Sequence, residues 1–319
     1  MILLTGATGF VGGAVLESVS KGFSVRVALR SLDAFFVPDG LEVFKASLKP
    51  DQNWKNVLVG VLSVIHCAAR VHVMKDQSSD PLTEFRQVNV EGTLNLARQA
   101  AAANVKRFVF ISSIKVNGEV TAEGVYYKAD DIPAPMDQYG VSKMEAEHGL
   151  RAIAAETGME VVIIRPVLVY GPGVKANFLD MMRWLNKGVP LPFGAIHNRR
   201  SLVALDNLVD LIVTCIDHPA AANQTFLVSD GEELSTSELL RRMGVALGKP
   251  ACLLPVSSSL LEVGAAMFGK KAFAQRLCGS LQVDISKTRE LLGWSPPVSL
   301  DEALRHTAVH FLAQKRSDI

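Results

Sequence analysis

Short apolar, β-branched runs alternate with helix-like stretches through the first 170 residues of the chain. This alternation predicts a parallel sheet with helices on both faces, because parallel strands need long crossover connections and are buried on both sides. The predicted strands cover residues 2–5, 24–29, 41–45, 63–66, 107–111 and 160–165. The predicted helices cover residues 9–19, 51–58, 84–103 and 142–157. The fold class is therefore α/β, with a doubly wound parallel sheet.

After residue 170 the chain changes to segments punctuated by proline and glycine, such as GVPLPFGAIHN and KPACLLPVSSS. At 319 residues the chain is about twice the length of a typical domain. We therefore predict a sheet domain over residues 1–170 and a smaller lobe over residues 171–319, with some exchange of strands and helices between them. The lobe is expected to close over the carboxyl edge of the sheet, where open α/β sheets bind ligands.

Composition limits the class of partner. Hydrophobic residues make up 49% of the chain and charged residues 20%, which is enough apolar material for an extensive core. Lys and Arg number 33 against 32 Asp and Glu, so the net charge of +1 provides no general attraction for nucleic acid. The mean hydropathy is +0.23, yet no apolar run of about 20 residues is uninterrupted, so we predict no membrane insertion.

The beginning of the chain and its cysteines indicate a compartment. The first residues, MILLTGATG, have no basic region and no long apolar region of the kind that secretory signals carry. The cysteines at positions 67, 215, 252 and 278 are widely spaced and form no CxxC pair. This spacing predicts reduced, mostly buried thiols rather than disulfides or a zinc site. We therefore expect a cytoplasmic protein.

The segment ILLTGATGFVGG places Gly6, Gly9 and Gly12 three residues apart, after a strand and at the opening of a helix. Gly6 suits a tight turn, Gly9 allows the backbone to approach a pyrophosphate, and Gly12 allows the helix to pack close to the strand. Helix N-terminal amides then face the phosphates. The alternative interpretation is an ordinary turn, because glycine is common in turns.

The end of the second predicted strand, in VRVALRSLD, bears on the choice of cofactor. An acidic residue here binds the adenosine ribose of NAD, whereas a nearby Arg accommodates the 2′-phosphate of NADP. Leu29 and Arg30 stand where the acidic residue is expected, which favours NADP(H). Asp33 lies close enough to keep NAD(H) possible, and Arg30 has the alternative interpretation of an exposed charge at a strand end.

A candidate catalytic set follows the fifth strand. Tyr139 and Lys143 in YGVSK are four residues apart and share one helix face. The predicted strand in RFVFISSIKVNG leads into Ser112 and Ser113 at the carboxyl edge of the sheet. Lowering the pKa of a tyrosine from about 10 to about 7 takes about 4 kcal/mol, roughly what an ammonium at about 4 to 5 Å supplies at an effective dielectric of about 20. We therefore predict that Lys143 lowers the pKa of Tyr139.

TGATGFVGG and the Ser, Tyr and Lys set resemble the extended short-chain dehydrogenase/reductases, the family of nucleotide-sugar epimerases, dehydratases and reductases. The stretches VIHCAA, NVEGTLNL, RPVLVYGPG and KTRELLGW are also similar to segments of that family. The resemblance implies a Rossmann-type fold with a dinucleotide-binding domain first and a substrate-binding lobe second. It assigns catalysis to Ser113, Tyr139 and Lys143. Asn117 departs from the Tyr that is common in the family at that position.

The same resemblance implies the ligand contacts. Cofactor contacts are expected at Gly6, Thr8, Gly9, Phe10, Val11, Gly12, Arg30, Ser47, Leu48, Ala68, Ala69, Tyr139, Lys143, Pro166 and Val169. Substrate contacts are expected at Ser113, at Asn177 (phosphate), at Phe193 (uracil) and at Arg200 and Arg276 (pyrophosphate). The Arg276 assignment departs from the common epimerase spacing, since Asp284 follows it too closely. No His pairs with carboxylates at ligand spacing, so no metal is predicted, and His66, His72 and His197 are expected to be structural or loop residues.

FVFISSIKVNGE, YGVSKMEAE and SLQVDISKTRELLGW resemble the 4-reductases of UDP-2-acetamido-2,6-dideoxy-hexos-4-ulose in bacterial surface polysaccharide (O-antigen) pathways. Ile114 and Lys115 follow Ser113 where dehydratases of the family usually carry an acidic pair, which disfavours dehydration. The alternative is a UDP-N-acetylhexosamine or UDP-hexose 4-epimerase with tightly bound NAD. Two further alternatives are a cofactor-sensing binding protein on the same fold and a membrane-associated form that uses residues 253–269. Family members often form homodimers, which we also expect here.

Overall fold

A seven-stranded parallel sheet forms the centre of the computed structural model, which describes residues 1–31, 41–71, 80–267 and 277–317. Its strand order is β3-β2-β1-β4-β5-β6-β9, and every neighbouring pair is parallel. The predicted α/β fold class is therefore confirmed. The strands are β1 Ile2–Thr5, β2 Val25–Leu29, β3 Glu42–Lys45, β4 Ser63–His66, β5 Arg107–Ile111, β6 Glu160–Pro166 and β9 Thr225–Val228.

The inner strands are buried on both faces, as the runs of β-branched and aromatic residues predict. In β5 the side chains alternate. Phe108 and Phe110 face the side covered by the helices at residues 93–102 and 138–157, whereas Val109 and Ile111 face the side covered by the helices at residues 10–19 and 205–217. The helices that the structure describes are α1 Phe10–Val19, α2 Pro81–Phe85, α3 Thr93–Ala102, α4 Gln138–Thr157, α5 Ala176–Asn186, α6 Leu205–Asp217, α7 Thr236–Ala246, α8 Ser258–Met267, α9 Ser286–Leu292 and α10 Leu300–Ser317.

A smaller three-stranded sheet lies in the second part of the chain. Its strands are β7 Leu168–Tyr170, β8 Arg200–Ala204 and β10 Glu233–Leu234, in the order β10-β8-β7. A separate apolar core connects this sheet with α5, α7 and α10. Strand β9 lies beyond residue 170 and yet joins the large sheet, so the chain returns there after forming part of the lobe. The division at residue 170 stays a prediction.

Two of the predicted helices have different bounds in the structure. The predicted helix over residues 84–103 begins at Pro81 and consists of α2, a π-helical segment at Arg86–Gly92 and α3. The predicted helix over residues 142–157 begins four residues earlier, at Gln138, because the Asp137 side chain accepts a hydrogen bond from the Gly140 amide and caps it. This earlier beginning places Tyr139 in the first turn of α4.

The predicted helix over residues 51–58 is wrong, since this segment forms a series of turns. Side chains of α3 bind its backbone instead: Gln99 accepts a hydrogen bond from the Trp54 amide at 2.8 Å and donates to the Gln52 carbonyl at 2.8 Å. Asn95 donates to the same carbonyl. Trp54 is fully buried in the core beside α3. These long-range contacts outweigh the local helix preference of the segment.

The four cysteines are free thiols, as predicted, but they are not mostly buried. Only Cys215 is buried, whereas Cys67 and Cys278 are half-buried and Cys252 is exposed. None of the helices within the described ranges is both long and apolar enough to cross a membrane.

Candidate active site

Close backbone packing requires glycine in the turn between β1 and α1. Gly6 has a φ of +79°, and a Cβ at this residue would lie 2.5 Å from the Ala68 amide nitrogen. A Cβ on Gly12 would lie 2.1 Å from the Gly6 carbonyl oxygen. Both neighbours are backbone atoms that cannot rotate away. Glycine at these positions therefore allows α1 to begin directly over the end of β1.

We expect Gly12→Ala to destabilise the chain by about 1–3 kcal/mol, because the added methyl group overlaps backbone atoms that cannot move aside. The free energy of unfolding in urea measures this loss. Gly22→Ala is the matched control, since a Cβ there meets nothing within 4 Å. Equal stability of the two variants would show that the turn tolerates a wider separation of α1 and β1.

The N-terminus of α1 has the features of an anion site. Gly9 is its N-cap and has no side chain to cap the first turn, and no acidic residue lies in that turn. Thr8 and Gly9 are exposed, and Phe10 and Val11 are half-buried. The first amides of a helix have no intrahelical partner, so they can bind a ligand here, and the helix dipole favours negative charge there. The turn therefore fits the pyrophosphate of a dinucleotide.

The other residues predicted to contact the cofactor follow the same edge of the sheet. Arg30 is exposed immediately after β2, while Ser47 and Leu48 follow β3 and are half-buried. Ala68 and Ala69 follow β4 and are also half-buried, Pro166 ends β6, and Val169 lies in β7. Because the strands of the large sheet are parallel, their carboxyl ends lie on one edge. Most of the predicted cofactor residues are thus brought to that edge, beside the glycine-rich turn.

The two serines after β5 have different environments. The Ser112 hydroxyl is buried and donates a hydrogen bond to Glu147 Oε1 at 2.6 Å. Ser113 is half-buried and caps a short 3-10 turn, Ile114–Val116, where its Oγ accepts from the Lys115 amide at 3.2 Å. Ser112 is therefore committed to a structural contact. Within the part of the chain that the structure describes, the Ser113 hydroxyl only accepts a hydrogen bond, so its proton can be donated to a ligand oxygen.

Lys143 joins the helix that carries Tyr139 to the end of β5. Its Nζ donates to the Ile111 carbonyl at 2.8 Å and lies 4.4 Å from the centre of the Phe110 ring and 6.0 Å from the centre of the Tyr139 ring. On its other side, the Tyr139 ring meets the edge of Phe85. The structure therefore brings Lys143 and Tyr139 together beside β5, the strand that precedes Ser113.

The electrostatics of the pair differ from the prediction. Burial lowers the pKa of Lys143 to about 8. Burial also raises the pKa of Tyr139, and the nearby Asp137 carboxylate raises it further. The predicted lowering of the Tyr139 pKa by Lys143 is therefore wrong for the chain alone. The physical reason is that desolvation of the phenolate outweighs the attraction of an ammonium that is itself bound to a carbonyl.

A buried ion pair below the two serines was missed by the sequence analysis. Arg165 Nη2 and Nε donate to the Glu147 carboxylate at 2.5 and 2.8 Å, and both side chains are buried. Arg165 Nη1 also donates to Asn117 Oδ1 at 2.9 Å. Burial alone would raise the pKa of Glu147, but hydrogen bonds and charge from Arg165 more than offset this and lower it. The network therefore connects α4, β6 and the segment that follows Ser113.

Asn89 is a second residue that the analysis did not single out for the site. It lies in the π-helical segment, and its side-chain amide donates to the Arg70 carbonyl and to Ser142 Oγ, each at 3.0 Å. Its Oδ1 accepts from the Arg70 amide at 2.8 Å. Asn89 therefore attaches the loop after β4 to α4. A π-bulge in a helix is frequent at functional sites, but the sequence shows no distinct signal for one.

The predicted structural role of His66 agrees with its surroundings. Its ring nitrogens lie 2.7 Å from Thr5 Oγ1 and 2.9 Å from Thr93 Oγ1, and burial lowers its pKa to about 3. The ring is therefore neutral. His197 is exposed in a loop, and His72 lies outside the described residues. Among residues 1–31, 41–71, 80–267 and 277–317, no group of three or more His, Cys, Asp or Glu could hold a metal ion.

The residues predicted to bind substrate lie on separate elements of the lobe. Asn177 is exposed in the first turn of α5, and Phe193 is half-buried against the apolar core of the lobe. Arg200 begins β8 and donates a hydrogen bond from Nη1 to the Gly279 carbonyl at 3.0 Å. Arg276 lies outside the described residues. Their roles toward a substrate stay predictions.

The chain is similar in sequence to a known protein family and to named relatives, in agreement with the geometry of the site. The model of the NAD dependent epimerase/dehydratase family matches residues 2–229. A Vibrio cholerae protein named UDP-glucose 4-epimerase is 52% identical over 314 residues, which cover 98% of this chain and 95% of that protein. An Escherichia coli O157:H7 protein is 27% identical over 100% of this chain and 97% of its own length. It is named N-acetyl-alpha-D-glucosaminyl-diphospho-ditrans,octacis-undecaprenol 4-epimerase.

Two solved structures show the same fold at low identity. The UDP-glucose 4-epimerase of Thermotoga maritima with UDP-glucose has a TM-score of 0.77 at 23% identity, covering 98% of this chain and 99% of that one. The UDP-glucuronic acid 4-epimerase of Bacillus cereus in complex with NAD has a TM-score of 0.77 at 20% identity, with the same coverage of 98% and 99%. These similarities support the fold and not a particular substrate.

Proposed function

Because the chain belongs to the NAD dependent epimerase/dehydratase family, we propose that it is a UDP-hexose or UDP-N-acetylhexosamine 4-epimerase that retains NAD. The observation that carries this proposal is the 52% identity with the Vibrio cholerae UDP-glucose 4-epimerase over 98% of the chain. The resemblances in the sequence favour a 4-reductase, with the epimerase as the alternative. The comparisons support that alternative better, since none of the relatives described above is a reductase of a nucleotide sugar.

The chain's own residues fit a dinucleotide. Gly6 and Gly12 lie where a Cβ would overlap backbone atoms, and the first amides of α1, next to Gly9, would bind the pyrophosphate. Lys143 and Tyr139 would lie beside the nicotinamide half, at the carboxyl edge of the sheet. When bound, NAD supplies the chemistry by accepting a hydride from C4 of the sugar and returning it, so that no added nucleotide is consumed.

Tyr139 would move the proton at the 4-oxygen of the sugar. Its phenolate takes the hydroxyl proton as the hydroxyl becomes a carbonyl, and its phenol returns the proton in the reverse step. The Ser113 hydroxyl would donate a hydrogen bond to the same oxygen and stabilise the charge that develops there. Burial raises the Tyr139 pKa, so formation of the phenolate depends on positive charge near the ring. The Lys143 ammonium, 6.0 Å from the ring centre, would contribute part of that charge, although it does not offset burial in the chain alone.

Arg30 supports a second candidate, the 4-reductase with NADPH. Its exposed side chain follows β2, where an acidic residue would favour NAD. An Arg at this position suits a 2′-phosphate. The 4-reductase would use the same Ser113, Tyr139 and Lys143, with Tyr139 protonated at the outset so that it can donate to the developing alkoxide.

One experiment separates the two candidates. The nucleotide released from the denatured pure protein is identified as NAD or NADP, and the protein is then mixed with UDP-glucose or UDP-GlcNAc without added cofactor. We expect bound NAD and formation of the 4-epimer of at least one of the two sugars. In parallel, the UDP-4-keto-6-deoxy sugar is mixed with NADPH. Stoichiometric oxidation of NADPH, with no epimer formed from either UDP-sugar, would replace the epimerase by the reductase.

A further inference from the structure

Three charged residues next to Ser113 and Tyr139 have no role in the proposed chemistry. The Lys115 ammonium contacts Asp137 Oδ2 and lies 2.9 Å from Glu119 Oε1. The side chains are 31%, 34% and 26% exposed, respectively, so the group is partly withdrawn from water. We call the ion pair between Lys115 and Asp137 the Lys115–Asp137 clamp.

The Lys115–Asp137 clamp joins the two elements that carry the catalytic hydroxyl groups. Lys115 lies in the 3-10 turn that follows Ser113, and its own amide donates to Ser113 Oγ. Asp137 caps the helix whose second residue is Tyr139. Each of its carboxylate oxygens contacts a different element: Oδ1 accepts a hydrogen bond from the Gly140 amide of α4 at 2.7 Å, and Oδ2 binds Lys115 in the 3-10 turn.

Backbone packing at the same point shows how closely the two elements meet. A Cβ on Gly140 would lie 2.7 Å from the Lys115 carbonyl oxygen. The first turn of α4 therefore rests directly on the turn after Ser113. A small loss of this contact would separate Ser113 from Tyr139, and both hydroxyl groups must reach one substrate oxygen for the proposed reaction.

We propose that Lys115 is a positioning residue, which acts through the Lys115–Asp137 clamp to hold Ser113 and Tyr139 around the same substrate oxygen. This inference rests on the proposed function, since it concerns the same pair of hydroxyl groups.

The Lys115–Asp137 clamp has an electrostatic consequence that a purely structural contact would lack. The Asp137 carboxylate raises the pKa of Tyr139, and the adjacent Lys115 ammonium partly compensates that negative charge. Burial of Asp137 alone would raise its own pKa, but Lys115 and the Gly140 amide hold it low, so the carboxylate is charged at neutral pH. Among the described residues, the titratable and charged groups around Tyr139 include Lys143, Asp137, Lys115, Glu119, Cys67, Glu147, the Arg70–Glu84 pair and the Arg86–Glu145 pair.

Two single substitutions should move the pH profile in opposite directions. Lys115→Met leaves the Asp137 charge uncompensated, so the pKa of Tyr139 rises and the acidic limb of kcat/KM moves to higher pH. Asp137→Asn keeps a capping oxygen for Gly140 and removes the charge, so the limb moves to lower pH. We expect each displacement to be about 0.5 to 1 pH unit. Each variant should also lose about tenfold in kcat with little change in KM, because the hydroxyl groups are misplaced.

Rescue and control variants complete the test. Lys115→Arg preserves the ion pair and should restore most of kcat, and the double variant Lys115→Met with Asp137→Asn should have an acidic limb near that of the wild type. Lys287→Met removes an ion pair of 2.7 Å with Asp130 on the surface and should leave kcat and the pH profile unchanged. A Lys115→Met variant with wild-type kcat would overturn the proposal. So would acidic limbs that move in the same direction in Lys115→Met and in Asp137→Asn.

The test also distinguishes this inference from the proposed function. A wild-type chain that interconverts neither UDP-sugar overturns the function. The Lys115–Asp137 clamp is then tested by ultraviolet absorbance titration of the phenol with NAD bound, with Tyr139→Phe versions of each variant as blanks. The midpoint must lie lower in Asp137→Asn than in Lys115→Met. The reverse order, or equal midpoints, would overturn the electrostatic linkage.

Discussion

Replacing Tyr139 by Phe removes sugar interconversion and leaves the bound nucleotide in place. The substitution deletes one hydroxyl group and keeps the ring that packs against Phe85 at 6.1 Å between centres. Lys143 keeps its hydrogen bond to the Ile111 carbonyl, so the cofactor side of the site is unchanged. We expect kcat to fall by about 10² to 10⁴, the usual contribution of a positioned acid or base. The measurement is the rate of 4-epimer formation, together with the amount of NAD released on denaturation.

Tyr126→Phe is the matched control for this prediction. Tyr126 is 39% exposed and lies in the segment between Ser113 and α4, so loss of its hydroxyl should leave the rate unchanged. Retained turnover in the Tyr139 variant would remove the phenol from the proposed proton transfer. Loss of bound nucleotide in that variant would instead assign Tyr139 mainly to cofactor binding.

The fold was predictable because each buried strand can be recognised from a short run of its own residues. The predicted bounds of β1, β4 and β5 agree with the structure, since a short, mostly apolar run between polar or turn-forming residues marks both ends of each strand. The segment around Trp54 was not predictable in this way. Its conformation depends on Gln99, which is 45 residues away and binds its backbone. A pattern within one segment carries no information about such a contact.

Some residues of the candidate site could be predicted from the sequence, whereas the buried residues that support them could not. Gly6, Gly12, Tyr139 and Lys143 are marked by short-range spacing, and the structure places them on the elements where that spacing requires them. The buried residues that support them have no such sequence signal, because their positions depend on tertiary contacts between β5, α4 and β6. The direction of the Tyr139 pKa also depends on burial, which the spacing of a Tyr and a Lys does not reveal.

The buried ion pair of Glu147 and Arg165 gives the largest expected effect on stability. Glu147→Gln keeps the size of the side chain and removes its charge, so the Arg165 guanidinium, which is 1% exposed, is left without a carboxylate. Breaking a buried pair in this way costs about 3–5 kcal/mol. The free energy of unfolding in urea at neutral pH measures the loss. Glu145→Gln, two residues away on α4, removes an ion pair with the half-exposed Arg86 and should cost far less.

A second substitution distinguishes the unpaired charge from lost packing. Arg165→Met in the Glu147→Gln background removes the buried guanidinium, so the double variant should be more stable than Glu147→Gln alone. The pH dependence adds an independent check, because the pKa of Glu147 is lowered in the folded chain. The stability that the carboxylate contributes is present above its unfolded pKa and is lost as the pH falls through the lowered folded pKa. The difference between wild type and Glu147→Gln should therefore shrink in acid, and a difference that stays constant would assign the loss to packing.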